Sequence, residues 1–209
     1  MSSPATQRER VAVDPETQHR VEQFLYREAE LLDTFSLDAW LDLLDESVVL
    51  RVPVRVDRDP GSEQSAFSAD ANYLREDYEM VRERVGRLNK EYAWSENPRS
   101  RVRHHIGNVR VLDVDGDELT VANNQEVFRS YGDTPDHDLI SAQRHTVLRD
   151  ERAGDGVSDG DGAGDGASDG DGAGDATAVG HDEAFTILDR TVYLDHSILN
   201  TKNLTLPLL

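Results

Sequence analysis

The sequence predicts an α+β fold in which helices near the amino terminus cover one face of a curved, mainly antiparallel sheet. Three observations support this. Apolar residues recur at helical spacing early in the chain, apolar and polar residues alternate from about residue 47 onward, and an Asp-Gly turn separates two of the alternating segments. Helices on one face of a curved sheet form a cone or half-barrel, whose interior could hold a small ligand.

Two helices are predicted before the first strand. The segment from Pro15 to about residue 35 has apolar residues on one face, and Pro15 suits a first helical turn. Ser36 is placed to cap a second, short helix. The apolar positions of the two helices are, in order, Val21, Phe24, Leu25 and Leu32, then Leu37, Trp40, Leu41 and Leu44.

The first strand is predicted over residues 47–57, where valines and Leu50 alternate with mostly polar neighbours. Pro53 has no N–H for the ladder, so this strand is expected at a sheet edge or with a bulge there. Helical spacing from Leu74 to Leu88 predicts a third helix between residues 69 and 90. Further strands are predicted at 101–114, 118–131, 138–149 and 184–194, with Asp115-Gly116 as a tight turn between the first two.

The predicted domain organisation is a disordered segment at residues 1–14 and one α+β domain over 15–209. Residues 154–173 are two near copies of a decapeptide, and residues 153–180 contain seven Asp and no Lys or Arg. Such a segment has too little apolar surface to order itself, so a disordered insertion is predicted at about 153–180.

Composition excludes several function classes. The chain has no cysteine, which removes disulfides, thiolate nucleophiles and iron–sulfur ligation from consideration. No apolar run reaches the roughly 18 to 20 residues that cross a bilayer, and the amino terminus lacks the apolar segment of a signal peptide. These features predict no membrane association and a cytoplasmic protein.

The net charge is -20, from 42 acidic and 22 basic residues. At molar salt the Debye length falls to about 3 Å, which screens the self-repulsion of such a surface. Because the acids are spread along the whole chain, the charge predicts adaptation to a salty cytoplasm rather than one acidic docking site. Nucleic acid is an improbable ligand, since phosphate contacts need a basic footprint.

Metal binding has weak support in the sequence. The Asp-Gly repeat lacks the nine-residue spacing and apolar position of a calcium β-roll, and residues 113–124 lack the Gly and the final Glu of an EF-hand loop. His104 and His105 are adjacent on a predicted strand, so their side chains point to opposite faces and cannot readily share an ion. No metal or cofactor is therefore predicted in this chain.

Catalytic motifs are also missing, since neither a nucleophile elbow nor a Gly-rich phosphate loop occurs. An acid/base centre remains open, because a conical fold could bring Asp42, Tyr73, His104 and Asp195 towards one cavity.

Arg99, Arg101 and Arg103 alternate along a predicted strand and share one face with His105, opposite Val102, His104 and Ile106. Two interpretations stay open, either ion pairing within the chain or a guanidinium row that docks a carboxylate-bearing partner.

Three separated segments resemble one known family, the β (small) subunits of aromatic-ring-hydroxylating dioxygenases. They are FLYREAELLDTFSLDAWLDLL, AWSENPRSRVRHHIGNVRV and LDRTVYLDHSILNTKNLTLPLL, and QRHTVLRD matches the strand before the last. The resemblance covers residues 20 to 209 apart from the repeat insertion, which is one departure from the family pattern. The acidic surface is another.

The resemblance implies a cystatin-like, nuclear-transport-factor-like cone and assembly with a larger α subunit, usually as three of each. It implies a structural, non-catalytic role in an enzyme that acts on aromatic compounds with O2 and with electrons from NAD(P)H. The Rieske [2Fe-2S] cluster and the mononuclear iron would lie in the α subunit, and a Rieske centre needs two Cys, which this chain lacks.

The resemblance implies that residues matching the family motifs lie at the interface with the α subunit or close the fold of this subunit. The residues are Trp94, Glu96, Pro98, Ser100, Arg101, Arg103, His104, Arg190, Asp195, Asn203 and Leu204, to which Arg99 of the arginine row is added. Two alternatives remain for the function. One is a free-standing isomerase, dehydratase or hydrolase of the same fold, and the other is a module that binds a small molecule.

Overall fold

A computed structural model describes residues 13–59, 61–62, 64–89, 100–133, 135–153 and 185–197. It contains three helices and six strands within these ranges. They are α1 (Pro15–Asp33), α2 (Leu37–Leu41), β1 (Leu44–Arg55), β2 (Phe67–Asp77), α3 (Tyr78–Leu88), β3 (Arg101–Asp115), β4 (Glu118–Ser130), β5 (His137–Asp150) and β6 (Phe185–Leu194). The predicted disorder at 1–14 and 153–180 falls almost entirely outside the described residues and stays a prediction.

The six strands form one mixed sheet in the order β2-β1-β6-β5-β4-β3. Every neighbouring pair is antiparallel except β1 and β6, which run parallel. Strands β2 and β3 are its two edges, so the sheet is not closed into a barrel. The predicted α+β plan of amino-terminal helices on a mainly antiparallel sheet is confirmed.

Helix α1 has the boundaries and the buried face that the sequence predicts. Asp14 caps it by accepting a hydrogen bond from the backbone N–H of Thr17 at 2.8 Å, and Pro15 occupies the first turn. Its buried apolar residues, which include Val21 and Leu25, pack against the sheet. The face of the sheet that α1 covers is called the inner face below, and the opposite one the outer face.

Helix α2 is shorter than predicted, because Leu44 begins β1 instead of ending the helix. Helical spacing of apolar residues continues through Leu44, yet its pairing with Ile187 of β6 draws it into the sheet. Ser36 occupies the cap position without a side-chain hydrogen bond to the helix.

Strand β1 is internal to the sheet, so the predicted edge position of Pro53 is wrong, whereas the alternative of a bulge is confirmed. The register with β2 shifts on both sides of Pro53. The pairing of β1 with β6 runs from Leu44 to Arg51 and ends before Pro53. The missing N–H of proline is therefore tolerated without an edge.

The predicted third helix over 69–90 is wrong in its first half, because residues up to Asp77 form strand β2 and only Tyr78–Leu88 is helical. The half-buried positions of β2 alternate at Asn72, Leu74 and Glu76, as pairing with β1 requires. Asp77 then caps α3 by accepting from the N–H of Met80 at 3.0 Å.

The four later strands match the predicted ranges to within two residues. Gly116 has a φ of 64° in the two-residue turn that joins β3 and β4, which explains the preference for glycine at that position.

The inner face carries two apolar clusters. The larger contains Leu25, Trp40 and Leu148 and joins α1, α2 and α3 to the sheet, and the smaller contains Val102, Val127 and Leu194. The larger cluster surrounds an ionic group.

Glu28 of α1 is completely buried and is bound by two buried arginines. Its Oε2 accepts from Nη2 of Arg190 at 2.9 Å and from Nη2 of Arg144 at 3.3 Å, while Oε1 accepts from Arg190 Nη1 and, at 3.2 Å, from Nε1 of Trp40. Nε of Arg190 donates to Thr146 Oγ1 at 3.1 Å. This group, called the Glu28 cluster below, ties α1 and α2 to β5 and β6.

Electrostatics keep Glu28 and Arg144 ionised at neutral pH. Burial alone would raise the pKa of Glu28, but the charges of Arg190 and Arg144 and the hydrogen bonds from Arg190 and Trp40 hold it below its ordinary value of 4.5. Burial and the charge of Arg190 lower the pKa of Arg144 to about 9, which still leaves it protonated at pH 7.

The Glu28→Gln variant is expected to lose about 3 to 5 kcal/mol of unfolding free energy, because two buried guanidinium groups would lose the carboxylate that both of them bind. Urea unfolding measures the loss. The control is Glu30→Gln, whose carboxylate pairs with Arg27 and is 61% exposed. That change should cost less than about 1 kcal/mol. Equal losses in the two variants would contradict the account.

The carboxylate of Asp45 is expected to make the folding stability depend on pH. It accepts from Ser47 N–H at 2.8 Å, Ser47 Oγ at 2.6 Å and Arg149 Nη2 at 2.7 Å, and these bonds lower its pKa to about 2. A depressed carboxyl pKa adds stability above the unfolded value near 3.8 and loses it as pH falls towards 2.

Asp45→Asn should therefore be less stable than the wild type at pH 6 by up to about 2 kcal/mol, and the difference should shrink between pH 5 and pH 2. Unfolding curves across that range test this, with the exposed neighbour Glu46→Gln as control. A difference that stays constant with pH would argue against an ionic role for Asp45.

Candidate partner surface and its support

Strand β3 carries the arginine row and separates its two faces as the sequence predicts. Arg101, Arg103 and His105 are exposed, whereas Val102 and His104 are buried. Arg99 lies outside the described residues. The exposed residues lie on the outer face, and the buried ones contribute to the inner face.

Asp33, the last residue of α1, binds β3 at this position. Its carboxylate accepts from the backbone N–H of His104 at 3.0 Å and from Nη1 of Arg103 at 3.2 Å, and its Oδ1 lies 2.7 Å from Nδ1 of His104. The Asp33 side chain is 5% exposed and that of His104 is 1% exposed, while that of Arg103 is 66% exposed. The arrangement fixes the start of β3 to the end of α1 and leaves the guanidinium of Arg103 at the surface.

The hydrogen bonds of Asp33 also determine which ring nitrogen of His104 donates a hydrogen bond. Because the carboxylate already accepts from a backbone N–H and a guanidinium, it acts as an acceptor, so Nδ1 of His104 donates to it. Nε2 is buried and has no hydrogen-bond partner among the described atoms.

The two arginines of β3 have different partners. Arg101 donates from Nη2 to the carbonyl oxygen of Gly132 at 2.6 Å and from Nε to Ser130 Oγ at 3.3 Å. Both acceptors are neutral, so Arg101 keeps an exposed positive charge without a carboxylate among the described residues. Arg103 pairs with Asp33, as the interpretation of ion pairing within the chain expects.

Three further residues of the family motifs have internal contacts. Ser100 is buried and its Oγ accepts from Nε of the buried Arg129 at 3.0 Å. Arg190 is part of the Glu28 cluster. Asp195 follows β6 and accepts from Ser141 Oγ of β5 at 2.6 Å, which closes the end of that strand pair. These positions favour a role in the subunit's own structure.

The remaining motif residues lie outside the described residues, so their predicted roles stay predictions. They are Trp94, Glu96, Pro98, Arg99, Asn203 and Leu204.

Within the described ranges, no hydrogen bond or ion pair joins the four candidates for an acid/base centre to one another. Asp42, Tyr73 and Asp195 are exposed, whereas His104 is buried and binds Asp33. Tyr73 donates instead to the carbonyl oxygen of Ser197 at 2.8 Å. The described geometry therefore gives no support to a shared cavity for these four groups.

Sequence reasoning missed two classes of residue at this site. Glu28 occupies a position on the apolar face of α1, three residues after Leu25 and four before Leu32, and this position was the available signal that it is buried. Phe128 and Leu139 are 38% and 54% exposed on the outer face. Strand alternation alone gave no sign that they are exposed, because both faces of their strands carry apolar residues.

Among the described residues, no group of three or more His, Cys, Asp or Glu side chains is placed to hold a metal ion. Within the same ranges, none of the helices has the length and apolarity required to span a membrane.

The comparisons with known proteins agree with one another. The family model of the ring hydroxylating beta subunit matches residues 27–157. Biphenyl 2,3-dioxygenase subunit beta from Rhodococcus jostii (strain RHA1) is 29% identical over 197 residues, which cover 92% of this chain and 89% of the relative. The p-cumate 2,3-dioxygenase small oxygenase component of Pseudomonas putida is 40% identical over 114 residues, covering 54% of this chain and 61% of the relative.

A solved structure of naphthalene 1,2-dioxygenase contains a chain that superimposes with a TM-score of 0.71 at 21% identity, with 97% of this chain and 90% of that chain covered. That similarity shows the fold alone. The match of the family model extends over more than half of the sequence, and the near full-length relative supports it. The chain belongs to the family of ring-hydroxylating dioxygenase beta subunits.

Proposed function

We propose that this chain is the small, structural subunit of the terminal oxygenase of an aromatic-ring dioxygenase. The observation that carries the proposal is its membership of the beta-subunit family, together with near full-length similarity to the beta subunit of biphenyl 2,3-dioxygenase. A beta subunit acts within an assembly, so the partner is a larger oxygenase subunit. We place the assembly in the cytoplasm, with three copies of each subunit.

The chemistry of the reaction is assigned to the larger subunit. That subunit would hold a Rieske [2Fe-2S] cluster and a mononuclear iron, and electrons from NAD(P)H would reach it through separate proteins. A Rieske cluster is ligated by two Cys and two His, and this chain has no Cys. The contribution of this chain is then shape, rigidity and a docking surface for the iron-bearing subunit.

The internal contacts of the family-motif residues support a structural role. Ser100, His104 and Arg190 are buried, and each binds a residue distant in sequence. Asp33 and His104 resemble an acid/base pair in composition, but the carboxylate also binds a backbone N–H of β3. The pair therefore holds α1 against β3.

Co-expression with a candidate Rieske-type large subunit tests the proposal. We expect the two proteins to elute together in size exclusion at about molar salt, where the repulsion between acidic surfaces is screened. Iron analysis should find the metal in the assembly and in the separated large subunit. Separate elution, or turnover of a substrate by this chain alone after removal of metals, would contradict the proposal.

The role of the Asp33 and His104 pair gives a second test. Asp33→Ala should lower the unfolding free energy of the isolated subunit by about 1 to 3 kcal/mol, because buried donors of His104 lose their acceptor. The exposed Asp38→Ala is the control. In assemblies that still form, we expect Asp33→Ala to leave the turnover rate per iron unchanged. A large fall in that rate with unchanged stability would instead indicate a catalytic role for the pair.

A further inference from the structure

One region of the outer face combines exposed apolar side chains with exposed arginines. Phe128 of β4 lies directly opposite Leu139 of β5 on one side and Arg103 of β3 on the other. Directly opposite residues of paired strands project from the same face, so these three side chains form one row across three strands. Arg101 lies two residues before Arg103 and belongs to the same face. We call these four residues the outer patch.

We infer that the outer patch is the surface on which the larger oxygenase subunit docks. This inference rests on the function proposed above. The partner surface that fits it has an apolar centre, opposite Phe128 and Leu139, and carboxylates at its rim, opposite Arg101 and Arg103.

Three of the four side chains of the outer patch are held in place by contacts within the chain. The ring of Phe128 stacks on His137, with centroids 5.3 Å apart and planes inclined by 28°. Arg101 is held by Ser130 and Gly132, and Arg103 by Asp33. Fixed side chains lose little entropy on binding, which is a property of good interface anchors.

The charge of the outer patch determines the chemistry of the partner. Arg101 has only neutral acceptors among the described residues, and Arg103 shares the carboxylate of Asp33 with His104. Exposed acids lie near the patch, since Glu126 is opposite His105 and the turn after β4 contains Asp133 and Asp136. The charged groups of the patch itself are the guanidinium groups of Arg101 and Arg103, which are complementary to carboxylates on a partner.

Self-association through a two-fold axis fits the outer patch poorly. Docking by a two-fold axis would set the patch against itself, because such an interface uses the same surface on both subunits. Arg101 and Arg103 would then face their own copies, which is repulsive. A partner with a different surface avoids this repulsion. A neighbouring copy in a three-fold arrangement would avoid it too, and the self-association of the isolated variants, measured below, separates that case from the larger subunit.

The size of the outer patch is that of an interface centre. Three adjacent strands span about 10 Å, and Arg101 and Arg103 are about 7 Å apart along β3. A stable interface buries about 800 Å² on each partner, so the patch would lie within a wider and more polar contact. Few residues near such a centre contribute most of the affinity.

Leu139→Glu tests the inference, because it places a carboxylate against the apolar centre expected on the partner and removes an apolar contact, and Arg101→Glu places a carboxylate against the expected carboxylates of the rim. Binding to a candidate Rieske-type large subunit is measured by titration at about molar salt. We expect Leu139→Glu and Arg101→Glu each to weaken binding at least about 30-fold, the scale of an interface hot spot. Melting temperatures of the isolated variants should stay within a few degrees of wild type, because Leu139 is 54% exposed.

The matched control is Val114→Glu, which adds the same charge at an exposed apolar residue of β3, roughly 40 Å along the strand from Arg101. It should bind within about threefold of wild type. If Leu139→Glu does not fold, Leu139→Ala provides the same comparison.

Wild-type affinity in Leu139→Glu and Arg101→Glu would overturn the assignment while leaving the proposed function intact. If these variants instead abolish self-association of the isolated subunit and leave the large subunit bound, the patch joins copies of this chain and the assignment is also wrong. If wild type fails to bind the large subunit, the proposed function and this inference fail together.

Discussion

The buried ion group around Glu28 is the constraint on which the rest of the structure depends. The fully buried carboxylate of Glu28 on α1 accepts hydrogen bonds from Arg144 of β5, Arg190 of β6 and Trp40 of α2. Ionised groups in an apolar core are costly unless each finds a partner, so α1 has few positions in which it can pack on the sheet. Five residues later, Asp33 binds β3 from the end of the same helix. Helix α1 therefore connects the middle of the sheet to its β3 edge through two carboxylates.

This connection explains how a small chain could present a rigid surface to a partner. The arginines of β3 lie on the outer face, while Asp33 and the apolar residues of the inner face hold that strand from behind. The outer face can then carry exposed groups such as Phe128 and Leu139 without loss of order. A surface prepared in this way is what a structural subunit needs, because its contribution to an assembly is shape and the orientation of its side chains.

Much of the fold followed from local sequence patterns, and the errors have a common physical cause. Alternation predicted β3 to β6, and apolar spacing predicted α1, because each of these signals is repeated over many residues. Residues 69–77 were predicted as helix since Leu74 and Tyr78 suit that period, but pairing with β1 makes them a strand. Likewise, β1 is an internal strand because β6 joins it in parallel from the other side, over residues that precede Pro53. Pairing between distant segments decides both cases, and no local pattern contains it.

The candidate site was predicted in part. The sequence identified Arg101, Arg103 and His104 and their separation onto two faces, whereas Asp33, which binds both Arg103 and His104, was not singled out. An electron cryomicroscopy structure of the purified assembly would locate both the iron and the partner interface. We expect iron to be held entirely by the larger chain and the outer face around Phe128 and Leu139 to be buried against that chain. Iron bound by this chain, or an outer face left in solvent, would contradict the account.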